Sequence, residues 1–228
     1  MRIIRNERRI RVFSSIGQYV PLVGLAALLA GLVISYVKPE WFMLMLVSVT
    51  VGFGLSVAGG FFADRYAGPL AHHKSMAEAL KYLGGRYTLL QYVLPIPHVL
   101  VEPGGCTLFV VKSQGGNVSY EDGKWKHQQR GKFFRQFAGQ EAVGAPDAEA
   151  ERQTRKLERW LTERLPELEI PVRAVILFVN PDVTLEADDA PVPTFLGKKV
   201  KAWLRGPGKL DPLLPATHRR LTEALGIE

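Results

Sequence analysis

The chain has 228 residues, 47% of them hydrophobic and 22% charged, and a formal net charge of +7. Its single cysteine, Cys106, excludes an intrachain disulfide and a cysteine-ligated metal cluster, and fits a reducing compartment. It contains neither an internal repeat nor a long low-complexity tract, so repeat and fibrous architectures are excluded too.

Arg2, Arg5, Arg8, Arg9 and Arg11 lead into an uncharged apolar run, Val12 to Val37, which Lys38-Pro39-Glu40 separates from a second, Trp41 to Ala63. A helix crosses a hydrocarbon core of roughly 30 Å with about 20 apolar residues, and both runs exceed that. The pattern predicts a transmembrane helical hairpin, with spans at about 16–37 and 41–63 inside a segment 1–66. A lipid membrane is therefore the first expected partner. The positive-inside rule puts the arginine-rich N-terminus in the cytoplasm, and a second crossing returns the chain to that side, where Arg65 and Lys74 follow. An integral two-pass protein with both termini cytoplasmic is expected, its N-terminal arginines meeting anionic headgroups. A cleaved signal peptide would have a shorter apolar core, of about 7–15 residues. Small residues recur four apart at Ala27 and Gly31 and at Gly52, Ser56 and Gly60. Such faces either close one hairpin, which is the expected use, or join two copies as a homodimer. Neither span holds an Asp, Glu, Lys, Arg or His, so the hairpin reads as an anchor and not as an ion path.

The remainder, 67–228, is about 160 residues, enough for one globular domain. Met76, Ala77, Leu80 and Leu83 recur at helical spacing from His72, and Gly84-Gly85 stops that helix. Tyr87 to Leu94 and His98 to Glu102 read as strands divided by Pro95 and Pro97. After the turn Pro103-Gly104-Gly105, Cys106 to Lys112 is apolar enough to be a strand buried on both faces. Two further short strands, Val118 to Tyr120 and Lys124 to His127, extend this into an antiparallel meander. A long helix starts near Pro146-Asp147 with Ala150, Leu157, Trp160, Leu161 and Leu165 as its apolar stripe. Val172 to Val179 is then a central strand, Glu186 to Asp189 an exposed loop, and Lys198 to Leu204 and Thr217 to Leu225 are short helices. Helices alternating with buried strands give an α/β fold class.

The segment from about Lys74 to Arg205 resembles the nuclease-related domain, NERD, a branch of the PD-(D/E)XK restriction-endonuclease-like superfamily. The resemblance rests on His98-Val99-Leu100-Val101 before Pro103-Gly104-Gly105, on Leu108 to Lys112 followed by Gly115-Gly116, on Trp125, on Pro146 opening the long helix, and on Val175 to Asn180. It implies a restriction-endonuclease-like mixed sheet flanked by helices, behind the membrane hairpin. It also implies a metal-dependent phosphodiesterase site, with an Asp just before the His98 strand and a Glu two residues before Lys112. Those acids would hold Mg²⁺ through oxygen, and the lysine would stabilise charge on the phosphorus centre. The two positions carry Pro97 and Val110 instead. A Glu that the family places on the first helix falls near His73, and a Gln on the long helix falls at Glu149.

Three functions follow. In the first, favoured reading the domain has lost its metal ligands, is not an enzyme, and binds or scaffolds nucleic acid, anionic lipid or protein. In the second it is an active tethered nuclease with relocated acids, in which Lys112 and Glu149 act, Glu102 adds a second carboxylate and Mg²⁺ is the cofactor. In the third it is a membrane assembly protein with no nucleic-acid role. Lys124, Lys126, Arg130, Lys132 and Arg135, interleaved with Trp125, Phe133, Phe134 and Phe137, are the candidate surface for nucleic acid or anionic lipid, or a charged face whose aromatics belong to the core. His72-His73 lacks the spacing of a helical metal pair and reads as a polar helix start, and His98 as a core or edge histidine.

Overall fold

A computed structural model describes residues 1–129 and 142–227. The strands are β1 (Arg2–Arg5), β2 (Thr88–Gln91), β3 (His98–Glu102), β4 (Gly105–Lys112), β5 (Gly116–Glu121), β6 (Lys124–Gln128), β7 (Val172–Phe178), β8 (Val183–Glu186) and β9 (Thr194–Leu196). The helices are α1 (Glu7–Val37), α2 (Phe42–Phe62), α3 (His72–Ala79), α4 (Pro146–Arg164), α5 (Val200–Arg205) and α6 (Pro215–Ala224). They fall into two units, an α/β unit of residues 1–6, 72–128 and 143–227 and a helical unit of 7–71. The first six residues group with the strands, and the helical stretch runs to residue 71.

In the α/β unit one mixed sheet runs β1-β2-β3-β4-β7-β9, and a separate three-stranded sheet runs β6-β5-β8. The first connections are tight and antiparallel, β2 to β3 and β3 to β4, and β7 then lies parallel to β4 with Val110 opposite Ile176. Parallel pairing demands a crossover, and α4 supplies it. On one face Leu108, Val110, Ile176 and Phe178 pack with Ala150, Leu157 and Leu161 of α4 and with Leu221 of α6. On the other, Leu89, Leu100, Phe109 and Leu177 pack with Met76 of α3 and with Val200 and Leu204 of α5. This explains the unbroken apolar run of β4, which is buried on both sides. Burying Leu157 and Leu161 stabilises α4 by about 1.5–3 kcal/mol each.

Three expectations are corrected here. The antiparallel meander ends at β4, because Gly116, at φ +88°, turns the chain into the second sheet, where β5 pairs with β6 and, in parallel, with β8. The strand expected from Tyr87 to Leu94 stops at Gln91, where Tyr92 adopts φ +60° and its N–H donates to the Pro97 carbonyl at 2.7 Å. Finally, Arg2 to Arg5 is an edge strand pairing in parallel with Thr88 to Gln91, and Arg5 Nε donates to buried Gln91 Oε1 at 2.6 Å. Arg5 Nε is thus engaged inside the α/β unit.

In the helical unit, α1 and α2 are two helices long and apolar enough to cross a membrane. Gly17, Gly24 and Gly31, seven apart, are the buried face of α1, and Gly52 and Gly59 that of α2. A Cβ at Gly24 would fall 2.7 Å from the Gly52 carbonyl oxygen, and one at Gly59 would fall 2.4 Å from Cδ of Pro21. The small residues therefore bring two backbones together within this hairpin, and Ser48 Oγ donates across it to the Ala27 carbonyl at 2.7 Å. Leu22, Leu25, Leu32, Phe42, Leu46 and Val47 point outward and are exposed.

Candidate functional site

Along β4 the residues Cys106, Leu108 and Val110 face the core beneath α4, and period-2 alternation puts Lys112 on the same side at the strand's end. The Lys112 carbonyl is fixed by the Val179 N–H at 2.9 Å, where β7 ends alongside. Its ammonium, only 4% exposed, donates to Glu149 Oε2 at 2.9 Å, and the Glu149 side chain is 26% exposed. Gln153, one turn along α4, donates Nε2 to the other carboxylate oxygen at 3.0 Å. Glu149 is thus held at both oxygens. Lys112 and Glu149 were both legible as candidates, and the fold brings them together. Gln153 was missed, although its i+4 spacing from Glu149 was a usable signal.

The rest of an expected metal site is differently furnished. Val110 is 1% exposed and apolar, and Pro97 offers a carbonyl already accepting the Tyr92 N–H. Glu102 pairs with Gly105 in the β3–β4 register, so it lies at the far end of β4 from Lys112. There it accepts hydrogen bonds from Thr107 and from Arg173 Nη2, the latter at 2.9 Å. Arg173 in turn stacks its guanidinium 4.5 Å from the ring of Trp203. Glu102 is therefore a buried structural acid and is not the second carboxylate that the relocated-acid reading needs. Among the described residues no three His, Cys, Asp or Glu side chains converge as metal donors. Hard divalent cations take six or more oxygens from carboxylates, carbonyls and water, and Glu149, the carboxylate that meets Lys112 among the described residues, is engaged by an ammonium and an amide. The donor set does not fit Mg²⁺.

On the opposite face of the sheet, His98 is buried in the core, with its ring centroid 4.9 Å from that of Tyr92 and 6.2 Å from that of His72. His72 and His73 begin α3 as expected but are buried, and the His73 carbonyl accepts Gln91 Nε2 at 2.8 Å. Cys106 is fully enclosed, and burial, with the Glu102 charge as a lesser cause, pushes its thiol up to about 12.

Lys124 and Lys126 stand exposed on β6, but the strand's alternation turns Trp125 the other way, where it packs edge-on against Tyr120 and 6.3 Å from Phe178. The interleaving of basic and aromatic residues in the sequence is therefore, at Trp125, a separation onto two faces. Lys126 also binds Glu121 at 2.5 Å, which lowers the carboxyl's pKa and raises the ammonium's. Arg130, Lys132 and Arg135, with Phe133, Phe134 and Phe137, lie outside the described residues.

No family model matches this chain, and comparison with curated proteins and with solved structures gave no match. What stands is a mixed α/β protein that also carries two long apolar helices.

Proposed function

We propose that this is a two-pass membrane protein whose α/β unit is a nuclease-related domain that binds and does not cut. The observation that carries the second half is the closed Lys112–Glu149–Gln153 arrangement beside apolar Val110. A metal-dependent phosphodiesterase needs carboxylates free to hold its metal, and here the carboxylate beside Lys112 is taken up by the lysine's ammonium and the Gln153 amide. Support for the lineage comes from the order of the core, α3-β2-β3-β4-α4-β7, with three antiparallel strands, a crossover helix and a parallel return. Support for the membrane reading comes from the outward apolar faces of α1 and α2, since a soluble protein rarely exposes such a surface. The pairing of β1 with β2 adds to it, because both ends of the hairpin then lead into one folded unit and an even number of crossings follows. The arginine excess puts that unit in the cytosol.

Two measurements test this. Full-length protein in detergent, given Mg²⁺ or Mn²⁺, is expected to leave DNA and RNA intact. Cleavage that Lys112→Ala abolishes would overturn the binding reading. In cells the protein is expected to stay in the membrane through alkaline carbonate extraction, with tags at both ends accessible from the cytosol. Release into the supernatant, or tags on opposite sides, sinks the two-pass reading. Retardation of nucleic acid that weakens steeply with salt supports a phosphate-binding role, whereas binding to a protein through an apolar interface is less salt-sensitive.

A further inference from the structure

We propose that the α/β unit holds a binding site for a small organic monophosphate, in the cleft between the β3–β4 turn and α6, remote from Lys112 and independent of the function above. The cleft encloses about 370 Å³, a volume within the usual range of small-ligand sites. Tertiary contact builds it. A Cβ at Gly104 would lie 2.4 Å from Leu210 Cβ and 2.6 Å from the Asp211 carbonyl oxygen, so only glycine there lets the 210–214 segment cross the turn. Leu213 N–H then donates to the Pro103 carbonyl at 2.9 Å and fixes the crossing.

Its lining separates into two kinds of surface. Arg86, His218 and Arg219 bring three basic side chains from two distant stretches of chain, and no acidic residue lines the cleft. Arg86 has no described ion pair, and Arg219 has one at 4.0 Å with Glu223 on its own helix, both side chains well exposed, which contributes little. His218 Nε2 is buried without a described hydrogen-bond partner, so a polar atom is left for a ligand to meet. Like charges gathered in a concave surface raise its potential and favour an anion. Two guanidinium groups carry two positive charges and paired N–H donors, which suit a doubly charged phosphate with three terminal oxygens better than a singly charged carboxylate with two. The remaining wall is Pro103, Pro212, Leu213 and Pro215, with Thr222 as a polar exception, a largely apolar surface suited to the flat or aliphatic body of an ester and of little use to a free ion.

The test is calorimetric titration of full-length protein in detergent with phenyl phosphate, inorganic phosphate and benzoate. Phenyl phosphate is expected to bind at least about tenfold more tightly than either of the others, because only it uses both surfaces. Arg86→Ala and Arg219→Ala should each weaken it about tenfold with an unchanged thermal transition, and Arg155→Ala, on an exposed face of α4, should leave it unaltered. Leu213→Asp should remove the preference for phenyl phosphate over inorganic phosphate. Absence of binding at about 10 mM phenyl phosphate, equal affinity for benzoate, or arginine variants that bind like the native protein would each overturn the proposal.

Discussion

Burying the Lys112 ammonium at the end of β4 costs several kcal/mol unless an anion meets it, and Glu149 is that anion. Glu149→Ala is accordingly expected to destabilise the α/β unit by about 2–3 kcal/mol, since it leaves a buried cation unpaired. Lys112→Met, which removes the cation itself, should cost less, and adding it to Glu149→Ala should restore much of the loss in urea denaturation. If the two losses simply add, the pair is not structural. Gly105 makes a comparable point through the backbone. It sits at φ +143°, and a Cβ there would fall 2.3 Å from the Pro171 carbonyl oxygen, which accepts the Cys106 N–H. Gly105→Ala should cost about 1–3 kcal/mol in backbone strain alone, read as a lowered denaturation midpoint. Cys106 supplies a pH dependence. Its folded-state value, about 12, lies above the ordinary 9.0, so the folded protein keeps a proton that the unfolded chain releases. The resulting stability is intact below about pH 9 and drains away as pH rises towards 12. Cys106→Ala should flatten that alkaline decline, and the native thiol should resist alkylation at neutral pH until the protein unfolds.

Elements show how much local pattern survives packing. The α4 stripe at Ala150, Leu157 and Leu161 is buried where its helical spacing places it, and Pro146 opens the helix because its missing N–H is an orphan there in any case. β1 was illegible because a four-residue strand with arginine at both ends looks like flanking charge, and only its pairing with Thr88 to Gln91 makes it a strand. For α1 and α2 the sequence pointed to small faces at fourfold spacing, of which Ala27, Gly31, Gly52 and Ser56 do lie along the seam, and the hairpin's buried glycines follow a sevenfold set, Gly17, Gly24 and Gly31 against Gly52 and Gly59. The sevenfold set keeps one seam facing the partner along the helix length. A Cβ at Gly31 would stand 3.4 Å from Ser48 Cβ, near disulfide geometry. Gly31→Cys with Ser48→Cys should therefore oxidise to an intrachain disulfide in detergent, visible as a mobility shift reversed by reductant. Gly24→Val should lower its yield, because a Cβ there meets the backbone of Ser56 at 2.7 Å. A disulfide that forms equally well with Val at position 24 would mean that this seam does not set the approach.

At the scale of the whole molecule, the chain leaves the sheet after β1, makes the hairpin, and returns at α3 to complete the same unit. The first strand is therefore separated from its partner in sequence by α1 and α2. Deleting residues 7–71 with a short flexible linker is predicted to leave an α/β unit in which β1 and β2 still pair, because their register is set within the unit. Loss of amide protection at Leu89 and Leu90 in that variant, by hydrogen exchange, would show that the register depends on the helices instead.

Composition and pattern by themselves determined the two long apolar helices, the α/β class, most element positions, and the absence of acids at positions 97 and 110. Those properties are local, set by periodicity, proline and glycine punctuation, and residue identity. Only the tertiary structure decided that Lys112 meets Glu149, that Glu102 belongs to Arg173, that Trp125 turns away from its lysine neighbours, and that the first six residues complete the sheet. Each of these joins residues remote in sequence or depends on which face of a strand the core claims, and a single side chain's identity encodes neither.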